Sequence, residues 1–205
     1  MTDKKHHWEN VYETKPSDSV SWFQPHAEKS LQIIESSGFG KNASIIDVGG
    51  GASTLVDDLL TQGYENLTVL DLSAAALQVA QNRLGDKAQN VKWVVGDITT
   101  VELPANAYDI WHDRAVFHFL TDEKDRQAYV RQVMRSVRPN GLIIVATFAE
   151  DGPEKCSGLP VMRYSAESLH HEFGDAFTLI GKEKETHHTP FGTDQRFVYC
   201  YCRKP

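Results

Sequence analysis

Apolar and polar positions along this chain alternate in blocks whose period switches between two and about 3.6 residues. "SIIDVG", at 44–49, is a short Ile- and Val-rich run that predicts a buried strand. Leu55, Val56, Leu59 and Leu60 fall at helical spacing and predict a helix through 57–62, with Gly63 as its C′ residue. "NLTVLDL" predicts a second strand, after which Ser73 caps a helix through "AAALQVAQNRLG" that Gly85 stops. "VKWVVGD" reads as a third strand and "AYDIWHD", after the Pro104 turn, as a fourth. Residues 122–137 form a long amphipathic pattern, closed by an expected "RPNG" turn at 138–141. "GLIIVATFA" follows as a fifth strand and "SAESLHHEFG" as a short capped helix. "FTLIGKEKETHHT" and "QRFVYCYCR" read as a closing hairpin.

Strands that alternate with helices imply a mostly parallel sheet covered on both faces. Two final strands with no helix between them must run antiparallel at one edge. The expectation is therefore an α/β, Rossmann-like, doubly wound sheet. The segment before residue 43 breaks the pattern: "WENVYETKPSDSVSWFQPH" is aromatic and polar, interrupted by Pro16 and Pro25. It predicts a helix, a loop and a second helix lying over the sheet end. The expected organisation is one domain over 1–205, with a helical lid at 1–42 and a ligand-binding core at 43–205.

A length of 205 residues suits one full α/β core, and 40 % apolar content is ordinary for a globular chain. The net charge of −7, with scattered basic residues, argues against nucleic acid or an anionic membrane as the main partner. "LIIVATFA" is the longest apolar run and is too short to span a bilayer. The beginning of the chain lacks the apolar core of a secretory signal. The three cysteines, Cys156, Cys200 and Cys202, point away from a disulfide framework and towards a reducing cytoplasm.

The chemistry concentrates after the first strand, where Asp47 precedes Gly49, Gly50 and Gly51. In open α/β sheets ligands bind beyond the carboxyl ends of the strands, and glycine lets them approach the backbone. Asp71 ends the second strand, where a ribose diol would be hydrogen-bonded. The dinucleotide fingerprint is imperfect, because Thr54 stands at its third glycine, and no Walker lysine is present. Asp47 and Asp97 add acids beside the loop. A cationic adenosyl ligand without phosphate tolerates them, whereas a pyrophosphate does not.

These residues resemble the class I S-adenosylmethionine-dependent methyltransferases. "IIDVGGGAS" is similar to their first motif, "VLDLS" to the second, "VVGDIT" to the third and "YDIWHDRAVFHFL" to the fourth. The likeness covers about residues 42–203, and Ser53 stands where many members have another glycine. It implies a seven-stranded sheet in the order 3-2-1-4-5-7-6, with S-adenosylmethionine as cofactor and S-adenosylhomocysteine as product. By position it implies Gly49 and Gly51 along the methionine part, with Asp47 near its ammonium and His112 near its carboxyl end. It likewise implies Asp71 at the ribose, Leu72 on the adenine, and Asp97 and Ile98 at the adenine edge, with Gly50, Ser53 and Ser73 among the cofactor-binding residues. Tyr12 and Trp22 lie in the segment that such proteins fold over the cofactor.

The acceptor side is less defined. Asp113, Arg114 and His118 in "HDRAVFHF" are the candidate catalytic residues: Arg114 to hold an anionic substrate and His118 to take a proton. An Asp113–Arg114 structural ion pair and a His118 packed between Phe117 and Phe119 are the competing readings. "DRA" is similar to the fourth motif of thiopurine- and thiol-type members, which implies a small, soft nucleophile. Metal-ligand spacing is absent, so no metal site is expected, and Cys200 and Cys202 read as small core residues. His6–His7 and His170–His171 read as solvated. The expected protein is a cytoplasmic methyltransferase, monomer or homodimer, acting on a small-molecule acceptor. A protein lysine or amine methyltransferase, a non-enzymatic cofactor binder and a nucleotide-dependent oxidoreductase on a similar sheet are the alternatives.

Overall fold

The computed structural model describes residues 3–205. In chain order the elements are helix α1 (Asp3–Thr14), helix α2 (Glu28–Ser36), strand β1 (Ser44–Val48), helix α3 (Leu55–Thr61), strand β2 (Asn66–Asp71), helix α4 (Ala74–Leu84), strands β3 (Val91–Val95) and β4 (Tyr108–Arg114), and helix α5 (Glu123–Ser136). Strand β5 (Val137–Phe148), the small hairpin β6 (Lys155–Cys156) and β7 (Leu159–Pro160), helix α6 (Ala166–Phe173), and strands β8 (Thr178–His188) and β9 (Asp194–Arg203) complete it.

Seven strands form one sheet in the order β3-β2-β1-β4-β5-β9-β8. The five strands from β3 to β5 run parallel, and β9 and β8 join antiparallel. This is the expected order, because β6 and β7 pair only with each other. The chain reverses direction across the sheet between β1 and β4, which opens a crevice beyond their carboxyl ends.

Period-two alternation sorts the strands' side chains into two cores. Ile46, Val48, Trp111, Ile143 and Val145 pack with Tyr129 and Val133 of α5 and Leu169 of α6. Ile45, Ile110, Ile144 and Ala146 pack with Ile33 and Ile34 of α2 and Leu55 and Leu59 of α3. Cys200 and Cys202 lie in the first of these, buried and free. The helix starts follow the capping chemistry read in the sequence. Ser73 accepts from the Ala76 amide at α4, and Ser165 and Ser168 form a reciprocal box at α6.

The expected turn at 138–141 is not a turn. The strand runs through it, and its pairing with β4 shifts register between Tyr108 and Ile110. Asn140, at φ 61°, and Gly141 absorb the irregularity, so Pro139 sits in an exposed part of the strand where a missing N–H costs little. No helix among the described residues is long and apolar enough to cross a membrane.

Candidate active site

The loop after β1 passes between two carboxylates. A β-carbon on Gly50 would come within 2.5 Å of Asp47 Oδ2, and one on Gly51 within 2.7 Å of Asp71 Oδ2. Gly49 has φ 69°, and a β-carbon there would overlap the side chain of Val116. Close approach as well as backbone conformation therefore requires glycine here. The Gly49 amide is tied to the Leu70 carbonyl at 2.7 Å, which locks the loop against β2.

Two cavities flank this loop. An open cleft of about 890 Å³ is walled by Asp71 and Leu72 after β2 and by Gly96, Asp97, Ile98 and Thr99 after β3. Its other wall is largely apolar and aromatic, with Trp8, Trp22, Val116, Phe119, Leu120 and Cys156, and Lys4, Arg114 and Asp125 also line the cleft. A second cavity of about 580 Å³ is bounded by Asp47, Gly50, Ser53, Ser30 and His112. Tyr12, Trp22, Gly49 and Arg114 face both.

Asp47 and Asp71 are almost fully buried, at 4 % and 8 % exposure. His112 Nδ1 donates to Asp47 Oδ1 at 2.7 Å, and His112 Nε2 lies 2.8 Å from Ser30 Oγ. Asp47 Oδ2 has no hydrogen-bond partner. Burial pushes the Asp71 carboxyl up to about 7, with the nearby charges of Asp47 and Glu9 acting in the same direction. Its Oδ1 accepts from the Ser73 amide at 2.8 Å, and this amide and that of Leu72 partly offset the rise.

Alternation along β4 sends neighbouring residues to opposite faces. Asp113 faces α5, where Tyr129 Oη donates to Oδ2 at 2.7 Å and the Val116 amide to Oδ1 at 2.9 Å. Burial raises its carboxyl to about 7. Arg114 faces the other way: Nη2 donates to Glu185 Oε2 at 3.2 Å, the guanidinium stacks 4.1 Å from the Phe197 ring centre, and Nε is buried without a partner. The two do not form the ion pair that their adjacency suggests.

His118 does not reach the cleft. It is fully buried against Phe119 and Phe148, and burial, with the Arg114 charge, pulls its pKa down to about 3. It stays neutral as a packed histidine, and its Nδ1 accepts weakly from the Phe148 amide at 3.4 Å. Asp113, Gly51 and Ser73 are likewise absent from the cavity walls. The Ser73 hydroxyl is taken up by the α4 cap and by Glu9.

Glu9 carries no motif signal and is central to the arrangement. Its carboxylate accepts from the Ser73 hydroxyl at 2.8 Å and from the Ala74 and Ala75 amides at 3.0 and 2.9 Å. It thus satisfies the free amides at the start of α4 and draws α1 across the cleft. His7, expected as solvated, lies 3.0 Å from Ser157 Oγ in the β6–β7 hairpin, and Lys4 stands 3.8 Å from Asp125 at the start of α5. His170 is also engaged, with Nε2 donating to the Phe177 carbonyl at 2.8 Å. Trp8 packs edge-on against both Trp22 and Phe119, and Trp22 Nε1 donates to Tyr12 Oη at 3.2 Å.

This donor set suits a cationic adenosyl ligand. Three carboxylates, Asp47, Asp71 and Asp97, stand at the glycine loop and the ends of β2 and β3, whereas the two guanidinium groups nearby are engaged by carboxylates, Arg114 by Glu185 and Arg83 by Asp57. The unpartnered Asp47 oxygen offers a buried site for an ammonium, and Asp71 offers one for hydroxyl donors.

Comparison with known proteins agrees. Residues 45–141 match the family model described as a methyltransferase domain. The chain is 26 % identical over 157 residues to EEF1A lysine methyltransferase 2 of Danio rerio, covering 70 % of this chain and 67 % of that protein. It is 26 % identical over 137 residues to the ubiquinone/menaquinone biosynthesis C-methyltransferase of Shewanella woodyi, covering 65 % and 53 %. It shares its fold with the 1,6-didemethyltoxoflavin-N1-methyltransferase of Burkholderia thailandensis, solved with S-adenosylhomocysteine, at TM-score 0.69 and 17 % identity, covering 98 % and 84 %. The chain carries a class I S-adenosylmethionine-dependent methyltransferase domain. It is accordingly an S-adenosylmethionine-dependent methyltransferase, and these relatives differ in the acceptor that their names give. The narrower likeness of "DRA" to thiopurine- and thiol-type members finds no support among them.

Proposed function

We propose that this enzyme methylates a small-molecule acceptor by in-line displacement, within a cleft that α1 roofs. The observation that carries the reading is the three-point attachment of α1: to α4 through Glu9, to the β6–β7 hairpin through His7, and to α5 through Lys4. A roof held on several sides admits a small molecule more readily than a folded protein surface. The whole chain then acts as one methyltransferase domain, with 1–42 as its lid segment, and the free buried cysteines suit a reducing cytoplasm.

S-adenosylmethionine, when bound, supplies a methyl group on a positively charged sulfur. Asp71 would hold the ribose hydroxyls, Asp97 and the Ile98 amide the adenine edge, and Leu72 its face. The free oxygen of Asp47 would take the ammonium, with His112 and Ser30 fixing that carboxylate's orientation. Tyr12 and Trp22, shared by both cavities, would close over the junction and exclude water, which strengthens the polar contacts inside. The protein's main task is alignment, which can supply on the order of 7–11 kcal/mol.

A second reading, methylation of a protein lysine, is favoured by the lysine methyltransferases among the relatives and by the net charge of −7, which suits a basic target. Incubation with methyl-labelled cofactor, a small-molecule panel and a cell lysate separates the two. Label in small acceptors supports the first reading; label confined to a protein band refutes it.

A further inference from the structure

We propose that the acceptor is a flat, apolar molecule whose reacting heteroatom ionises unaided, such as an acidic phenol or an aryl thiol. The inference rests on the small-molecule reading above and specifies its substrate class.

The apolar part of the wall left over once the adenosyl contacts are assigned is Trp8, Trp22, Val116, Phe119, Leu120 and Cys156, with Arg114 and the Lys4–Asp125 pair as its charged groups. Trp8 stands 5.5 Å from Trp22 and 5.3 Å from Phe119, ring centre to ring centre, with both contacts edge-on. Such surfaces hold planar rings well and reward burial of apolar area.

The same cleft offers nothing to take a proton. Among the described residues lining it there is no imidazole, and its carboxylates are Asp71, Asp97 and Asp125. The first two are assigned to the adenosyl ligand, and Asp125 stands beside Lys4 at the mouth. Burial pushes the Cys156 thiol up to about 12 and raises the Tyr12 phenol further, so both stay protonated. An alkyl ammonium, with an ordinary pKa near ~10.4, would arrive charged, with no group to deprotonate it.

An anion fares better. Arg114 reaches the cleft with a buried, unpartnered Nε, although Glu185 already engages its Nη2. Its field is felt there, since it partly offsets the upward shift of Cys156. A phenolate or thiolate that entered ionised would leave as a neutral methyl ether or thioether, while the sulfonium becomes a thioether. Charge therefore balances without a protein base.

The test uses the full-length protein saturated with S-adenosylhomocysteine. Binding of thiophenol, 4-nitrophenol and N-acetyl-lysine amide is followed by tryptophan fluorescence and calorimetry. The aromatic probes are expected to bind at least about tenfold more tightly than the lysine probe, and Trp8→Leu to weaken them by about tenfold. With S-adenosylmethionine in place of the product, turnover of two phenols of different acidity should rise with pH about midpoints that follow each phenol's own pKa. A common midpoint for both would reveal a protein base and overturn the proposal, as would no saturable binding of any aromatic probe. Turnover of small aliphatic amines alone would overturn it while leaving the small-molecule reading intact. Failure to bind S-adenosylhomocysteine would remove the cofactor assignment beneath both.

Discussion

Asp71 makes the affinity for cofactor product depend on pH in a way the geometry fixes. In the ligand-free protein its carboxyl titrates at about 7, because it is buried, with Asp47 and Glu9 nearby and the Tyr12 phenol neutral. Ribose hydroxyls donate to the ionised form, so ligand binding returns the group towards the ordinary carboxylate range and expels a proton. With a free pKa of about 7, about a tenth of the protein is ionised at pH 6 and about nine-tenths at pH 8. S-adenosylhomocysteine should therefore bind about tenfold more weakly at pH 6 than at pH 8, a difference of about 1.4 kcal/mol. Calorimetry across that range, in two buffers of unlike ionisation enthalpy, measures both the dissociation constant and the protons released. At pH 6 about one proton per site should leave; at pH 8 almost none. The sign for folding is opposite. A carboxyl raised in the fold stabilises it while protonated, fully below pH 3.8, and that contribution fades as pH rises through about 7. Thermal stabilisation by the ligand should thus grow with pH. Asp71→Asn, which cannot titrate, should bind weakly and without this dependence. A flat affinity from pH 6 to 8 in the native protein would refute the reasoning.

Three further outcomes follow from contacts described above. Asp113→Ala strands the Tyr129 hydroxyl and the Val116 and Phe117 amides in the core. At about 1–3 kcal/mol per buried group, it should lower the melting temperature by roughly 10 °C in calorimetry. Gly49→Ala combines a positive φ with overlap on Val116 and should abolish S-adenosylhomocysteine binding, read by thermal shift; retained affinity would show that the loop is not the ligand's seat. Glu9→Ala costs only about 1 kcal/mol in stability, since water can replace the cap at the exposed start of α4, but it should speed both ligand release in stopped flow and proteolysis within α1.

Much of this was legible because local chemistry and tertiary demand coincide. "SIIDVGGGAST" reads as a strand, a loop without side chains and a helix, and both the parallel direction of the first five strands and the antiparallel finish follow from where helices separate strands, whereas the strand order comes from the family resemblance. What the sequence concealed has physical reasons. Asp113 and Arg114 are neighbours in sequence, yet the pleat points one at Tyr129 and the other at Glu185, a residue 71 positions later. His118 has the residue type of a base, but only its burial shows that it stays neutral. "RPNG" has turn composition, whereas the strand tolerates it through an irregular register and an exposed proline. Glu9 caps a helix 65 residues away, and no spacing rule within a single helix can announce that. Cys156 reaches the cleft from a two-residue strand too short to leave a periodic signal.

The lid segment leans on the far end of the chain. Gln24 donates to Glu185, Lys29 pairs with Glu183, and His187 Nε2 donates to the Ser21 carbonyl. The 21–29 segment can therefore take its seat only against a formed β8–β9 pair, whereas α1 finds its anchors on α4, α5 and the β6–β7 hairpin. Trp22 packs on Trp8 where the two pieces meet, so loosening the edge hairpin would be felt in the roof of the cleft without any change to a residue that lines it.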